Sequence, residues 1–157
     1  MCNASGVQFT GQKYIQLHSN VLQSGFVSNG YVSTALINFY VKFECLNDTQ
    51  KLFDEIPEPS VVSWNSLISG HVHCGEFSKA LCLFMQMEKS SAVCSDAFSF
   101  TAALAACGKL GLLRLEMSIH SKIMKYGDEC GVVTSNCLID MYGKCGCVEE
   151  AFACLGK

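Results

Sequence analysis

The sequence is poor in proline and in charge. Of its 157 residues, 2 are Pro and 16% are Asp, Glu, Lys or Arg, while 50% are hydrophobic. A disordered tail or a Pro-rich linker needs low hydrophobicity and high charge, so neither class fits. A membrane-spanning segment is missing too. Residues 14–41 carry no formal charge, but Gln16, His18, Asn20, Gln23, Ser24, Asn29 and Asn38 are spread along them. A spanning helix needs about 20 mostly apolar residues, and this stretch fails that test. The mean hydropathy of +0.27 therefore calls for apolar surface buried between elements or left at unfinished ends. Basic excess is also absent. The net charge of −3 gives no broad electrostatic footprint for nucleic acid. Between Met1 and Val27 the only charged residue is Lys13, which resembles neither a signal peptide nor an Arg-rich transit peptide.

Catalytic and metal motifs are missing in the same way. The 11 Cys are an odd number with no C-x-x-C, and their one close pair is Cys145-x-Cys147. They lie within helical patterns such as Leu81-Cys82-Leu83, so free thiols acting as small apolar residues are expected rather than disulfides or zinc. His71, His73 and Cys74 cluster, but they lack a distant partner pair. None of the four His has Glu two residues later, and there is no P-C-x-x-C, H-E-x-x-H or glycine-rich phosphate loop. A zinc deaminase would need the first two. A non-enzyme with no cofactor and no metal is the expectation.

What is present is repetition. Four segments, beginning at Ala35, Ser66, Ala102 and Cys137, align at successive shifts of 31, 36 and 35 residues. Gly75, Gly111 and Gly146 share one slot, and Glu44 stands there in the first copy. At the summed shift of 102, His18 falls on His120, Gly25 on Gly127, Ser33 on Ser135, Tyr40 on Tyr142, Lys42 on Lys144 and Cys45 on Cys147. Two helices are legible in each unit. The first, exemplified by Ser63 to His73, has Trp64, Leu67, Ile68 and Val72 at helical spacing and ends at the Gly. The second, exemplified by Phe77 to Lys89, repeats the period with Phe77, Ala80, Leu81, Phe84 and Met85. Pro57 and Pro59 break the chain before the next unit. Trp64 and Tyr142 are expected in packing, His18 and His120 in structural roles, and Met85, Met87 and Met117 as core fillers. No period-2 alternation is sustained. The fold class predicted is all-α, a right-handed α-solenoid of stacked helix–turn–helix units whose apolar faces bury one another.

The run Val61-Val62-Ser63-Trp64-Asn65-Ser66-Leu67-Ile68-Ser69-Gly70, followed by Gly75, Ala80, Leu83-Phe84 and Met87, resembles a pentatricopeptide repeat of land plants. The unequal shifts resemble the short, standard and long motifs of that family's PLS subclass. Cys137 to Gly146 resembles a short-motif opening, and Phe100 to Gly111 with Ile119-His120 resembles a long motif. The implied division is a partial long motif at 1–29, short at 30–60, standard at 61–96, long at 97–131 and an incomplete short motif at 132–157. The chain thus begins and ends inside motifs, as a piece of a longer array, a short gene product or a degenerate copy would.

The resemblance implies that each repeat addresses one base of single-stranded RNA. By the same resemblance, the fifth and last residues of a repeat would select the base. These are Asn65 with Asp96, a combination the family associates with uracil, then Thr34 with Ser60, and Thr101 with Gly131, which offers no side chain. Asn136 has no partner within the chain. Apolar second residues, Tyr31, Val62, Phe98 and Val133, would wedge between bases. Outside the repeat context, Val62 and Phe98 read as core, and Asn65 as a local helix-start hydrogen bond. The implied partner is single-stranded RNA of a mitochondrion or chloroplast, with editing-complex proteins and no membrane, and the implied role is the guide part of a C-to-U editing or processing factor. A protein-interaction scaffold and an inactive relic remain the alternatives. If stacking contributes about 1–3 kcal/mol per base, three repeats supply about 3–9 kcal/mol, against about 8.2 kcal/mol for a micromolar complex.

Overall fold

The computed structural model describes residues 16, 19–20, 23–25, 30–90, 92–126, 131–144, 146–147 and 149. Most of the 1–29 motif, His18 and the end of the 132–157 motif lie outside them. Among the described residues the chain is all-helical, with α1 (Gly30–Lys42), α2 (Leu46–Asp54), α3 (Val61–His73), α4 (Phe77–Lys89), α5 (Ala97–Leu110), α6 (Leu113–Tyr126) and α7 (Gly131–Lys144). None of these helices is long and apolar enough to cross a membrane.

The odd-numbered helices form one layer, in which α1 packs on α3, α3 on α5 and α5 on α7. The even-numbered helices form a second layer. There α2 touches both α1 and α3, and α4 touches both α3 and α5. The sequence period dictates this arrangement. In α3, Trp64, Leu67, Ile68 and His71 are buried, which is the i, i+3, i+4, i+7 stripe of a helix packed along one face. In α4, Ala80, Leu81, Leu83, Phe84 and Met87 are buried, so the second helix closes both sides of its own pair. Met85 and Met117, expected as core, are instead exposed, while Met87 is buried. Met85 and Met87 stand two residues apart and so point to nearly opposite sides of α4.

Contacts between units recur at the repeat shifts. Phe53 of α2 meets Trp64 of α3 edge-on, with ring centroids 4.6 Å apart. Phe84 of α4 meets Phe100 of α5 at 6.0 Å. His120 of α6 holds the corresponding slot, but the next unit has Ser135 where Trp64 and Phe100 stand. Its ring packs on Tyr142 instead, with Nδ1 2.6 Å from the phenol oxygen. Glu88 accepts hydrogen bonds from Ser95 and from Lys122, which ties α4 to α6.

The turns inside each pair share one geometry. Glu76 N–H donates to His71 O, Cys45 to Tyr40, Leu112 to Cys107 and Cys147 to Tyr142. This is the long hydrogen bond that closes a helix around a left-handed residue. The left-handed slot holds Gly75 (φ 80), Gly111 (φ 66), Gly146 (φ 73) and, in the first copy, Glu44 (φ 57). A side chain in that region costs about 1–2 kcal/mol, so the first turn stores strain that the other three avoid. Thiols follow burial. Cys107 is buried, and burial, aided by Glu116, pushes its thiol up to about 12. Cys82 and Cys94 are exposed, and none of the described cysteines is paired.

Gly70 sets the spacing of the first layer. A Cβ built there would lie 2.6 Å from Val41 Cγ2 and 3.0 Å from Cγ1. Val41 is β-branched on a helix, so one rotamer dominates and it cannot swing away. Gly70→Ala therefore destabilises the fold by about 1–3 kcal/mol, despite the roughly 1 kcal/mol that Ala gains over Gly in helix propensity. Urea denaturation checks this, and adding Val41→Ala should recover part of the loss non-additively. By contrast, Glu44→Gly should raise stability by about 0.5–1 kcal/mol. An unchanged or lower midpoint would show that the left-handed turn at Glu44 is not strained.

Candidate functional site

The first turns of α1, α3 and α5 carry the predicted site residues on one exposed edge of the first layer. Tyr31, Val62 and Phe98, the second residues of their repeats, are 90%, 54% and 74% exposed. They are surface residues, and the core reading of Val62 and Phe98 does not hold. On a helix the residue one turn beyond the second position is the fifth. Thr34, Asn65 and Thr101 stand there, each partly buried. Side chains at two depths thus alternate along the edge, with an apolar group projecting and a polar group below it. Val133 lies in α7, but its side chain is outside the described ones.

Asn65 and Asp96 are 31 residues apart in sequence and in direct contact. Asn65 Nδ2 donates to Asp96 Oδ1 at 2.9 Å. Asp96 also caps α5. Its carboxylate accepts from Ser99 N–H at 3.0 Å, and its own N–H donates to Ser99 Oγ at 3.2 Å. This reciprocal pattern is a capping box with Ser in the third position. Burial by itself would push the Asp96 carboxyl up. The Ser99 N–H, the Asn65 amide, the Ser99 hydroxyl and the Phe98 N–H outweigh it and hold the group below its ordinary 3.8. Asp96 is therefore an ionised, acceptor-only group at neutral pH. The local reading of Asn65 as a helix-start hydrogen bond is replaced by this contact between successive units.

Thr34 and Ser60 are joined differently. Ser60 caps α3, accepting from Ser63 N–H at 3.2 Å. Ser63 Oγ then stands 2.8 Å from Thr34 Oγ1 and 3.0 Å from Ser60 Oγ, so a hydroxyl bridges the pair. Thr34 donates to Gly30 O at 2.7 Å, and Thr101 donates to Ala97 O at 2.7 Å. Both threonines spend their one proton on the carbonyl a turn back, as threonine in helices does. Thr34 Oγ1 is thereby left to accept from Ser63 Oγ. Gly131 begins α7 and brings no side chain to Thr101. Asn136 is exposed and, with Lys109 and Asp140, lines an open cavity of about 180 Å³ between α5 and α7.

Two features escaped the sequence reading. The serines Ser63 and Ser99 join fifth and last residues, and their signal was the capping spacing Ser60-x-x-Ser63 and Asp96-x-x-Ser99. The second is a basic row. Lys42, His73 and Lys109 end or nearly end α1, α3 and α5, eight residues past Thr34, Asn65 and Thr101 and therefore near the same face. All three are exposed. The row was visible only as a repeat identity between Lys42 and Lys144. His71 is buried and pairs through Nδ1 with Glu76 at 2.9 Å. Among the described residues, no group of three or more His, Cys, Asp or Glu converges as metal ligands would.

The cap geometry makes a stability prediction. Asp96→Ala removes the cap of α5 and the partner of Asn65, and should cost about 1–2 kcal/mol. Asp96→Asn keeps an accepting oxygen and should cost less. Because the folded pKa is depressed, the carboxylate stabilises the fold above its unfolded pKa, near 3.8. That contribution is lost as pH falls through the lower folded value. Acid titration of stability should therefore be steeper below about pH 4 for the parent than for Asp96→Asn. Equal acid profiles would contradict it.

Comparison with known proteins agrees with the geometry. The PPR repeat family matches residues 59–109, and the PPR repeat matches residues 133–157. A pentatricopeptide repeat-containing protein of Arabidopsis thaliana is 53% identical over 137 residues, covering 87% of this chain and 24% of its own length. A second from the same plant is 40% identical over 148 residues, 94% of this chain and 21% of that protein. A third, whose name carries the words chloroplastic/mitochondrial, is 38% identical over 139 residues, 87% of this chain and 22% of that protein. The chain thus spans between 21% and 24% of the length of these relatives. With stacked helix pairs, recurrent turn geometry and matches in two separate stretches, the chain belongs to the pentatricopeptide repeat family.

Proposed function

We propose that the chain binds single-stranded RNA in a mitochondrion or chloroplast, one base per repeat, as the guide part of an RNA editing or processing factor of the PLS type. The short, standard and long motifs at 30–60, 61–96 and 97–131 would be its working repeats, and the chain itself would carry no catalysis. The observation that carries this reading is the Asn65–Asp96 hydrogen bond, set between the exposed side chains of Val62 and Phe98. A base slid between those two would lie flat against apolar surface, with its Watson–Crick edge toward the Asn65 amide. The exposed ammonium groups of Lys42 and Lys109 lie where they could neutralise phosphates locally, although the net charge of the chain is −3. They also suit the negative ends of their helices, so their role in binding needs its own test.

The test is fluorescence anisotropy with short single-stranded RNAs. An oligo(A) strand with one central uracil should bind more tightly than the same strand with guanine, and Asn65→Ala should remove about 1–3 kcal/mol of that preference. Lys109→Ala should weaken binding to all strands alike and lower the salt slope by about 0.7. Equal binding of the two strands by the parent would defeat base reading. Partners that survive nuclease treatment in place of RNA would favour the scaffold alternative.

A further inference from the structure

We infer that Ser99 is a positioning residue for base choice: its hydroxyl, acting from the following repeat, sets which way round the Asn65 amide is presented and so favours uracil over cytosine. This rests on the base-reading proposal above and goes beyond it, because Ser99 is neither the fifth nor the last residue of any repeat.

An Asn amide has two N–H donors and two carbonyl lone pairs. Asp96 takes one donor, at 2.9 Å. Ser99 Oγ donates to Asn65 Oδ1 at 2.6 Å, closer than its 3.0 Å approach to Asp96 Oδ1. The hydroxyl proton is shared between the two and favours the nearer amide oxygen, while the oxygen of Ser99 accepts from Asp96 N–H. One N–H and one lone pair of Asn65 remain. Uracil offers O4 as acceptor and N3–H as donor, whereas cytosine offers N4–H as donor and N3 as acceptor. The same two amide functions satisfy either base, but in opposite order. With the base held flat by Val62 and Phe98, amide orientation is what separates them. Flipping the amide would put its oxygen against the Asp96 carboxylate and would cost the short Ser99–Asn65 hydrogen bond, turning the Ser99 proton onto the more distant Asp96 Oδ1. Two partners on opposite ends of the amide thus oppose the flip, where Asp96 alone would leave the carbonyl end loose.

The preceding repeat supports a positioning role for this slot. Ser63 stands there as Ser99 does, and it bridges Thr34 and Ser60 at 2.8 and 3.0 Å. In that trio every member is a hydroxyl, and because Thr34 gives its proton to Gly30 O it accepts from Ser63. The slot is the same, but Thr34 has no amide whose two ends could be set one way round.

Binding is measured for the parent, Ser99→Ala and Ser99→Thr, with oligo(A) strands carrying one central uracil or one central cytosine. Helical content by circular dichroism confirms that each variant is folded. The parent should prefer uracil. Ser99→Ala should reduce the uracil-to-cytosine ratio by about threefold to tenfold, the worth of one hydrogen bond, and Ser99→Thr should restore it. A purely structural cap would lower both affinities and leave the ratio unchanged. An unchanged ratio in Ser99→Ala overturns this inference while base reading stands. A parent that does not distinguish the strands overturns base reading, and this inference with it. In the free protein the Asn65 side-chain NH2 resonances supply a readout without RNA. They should shift and broaden in Ser99→Ala, and unchanged resonances would also overturn the inference.

Discussion

A pair of helices of this size cannot bury its own apolar face, and that constraint governs the molecule. Each first helix is covered by the first helix of the next unit, and each described second helix before α6 wedges between two first helices. The contact is close enough at Gly70 that a methyl group would collide with Val41. Such packing holds successive first turns in a common row. The residues at those turns then repeat in space as they do in sequence, and a periodic ligand becomes the natural complement.

The same stacking explains why the site is shared between units. Ser60 and Asp96 cap α3 and α5 and also face the preceding first helix, so they serve both the folding of α3 and α5 and the surface presented there. The fifth residue of the preceding unit reaches that cap, directly from Asn65 and through Ser63 from Thr34. The helix cap and the proposed recognition surface therefore meet at one group. The depressed pKa of Asp96 reflects that meeting, because the donors that keep it ionised are the helix start and the neighbouring amide.

The helical fold was legible because its signals are local and recurrent. The 3.6-residue stripe, the prolines at 57 and 59 and the glycine slot each report on a few neighbouring residues. Even the exception at Glu44 was placed correctly by register, though its left-handed backbone was not evident from the residue type. Met85 falls on the apolar period counted from Phe77, but the buried face of α4 turns toward Leu83 and Met87 and leaves it exposed, as Met117 is. Val62 and Phe98 look like core by composition, and their exposure depends on which side of the stack they meet.

By itself, the sequence determined the repeat register, the helix pairs and the slot of the left-handed turn. These follow from spacing, which is a property of the chain. Only the tertiary structure decided that Asn65 bonds Asp96 directly and that Ser63 and Ser99 join units. Those outcomes depend on distances across 29 to 34 residues of chain, set by how closely one helix layer lets the next approach. No local pattern contains that distance.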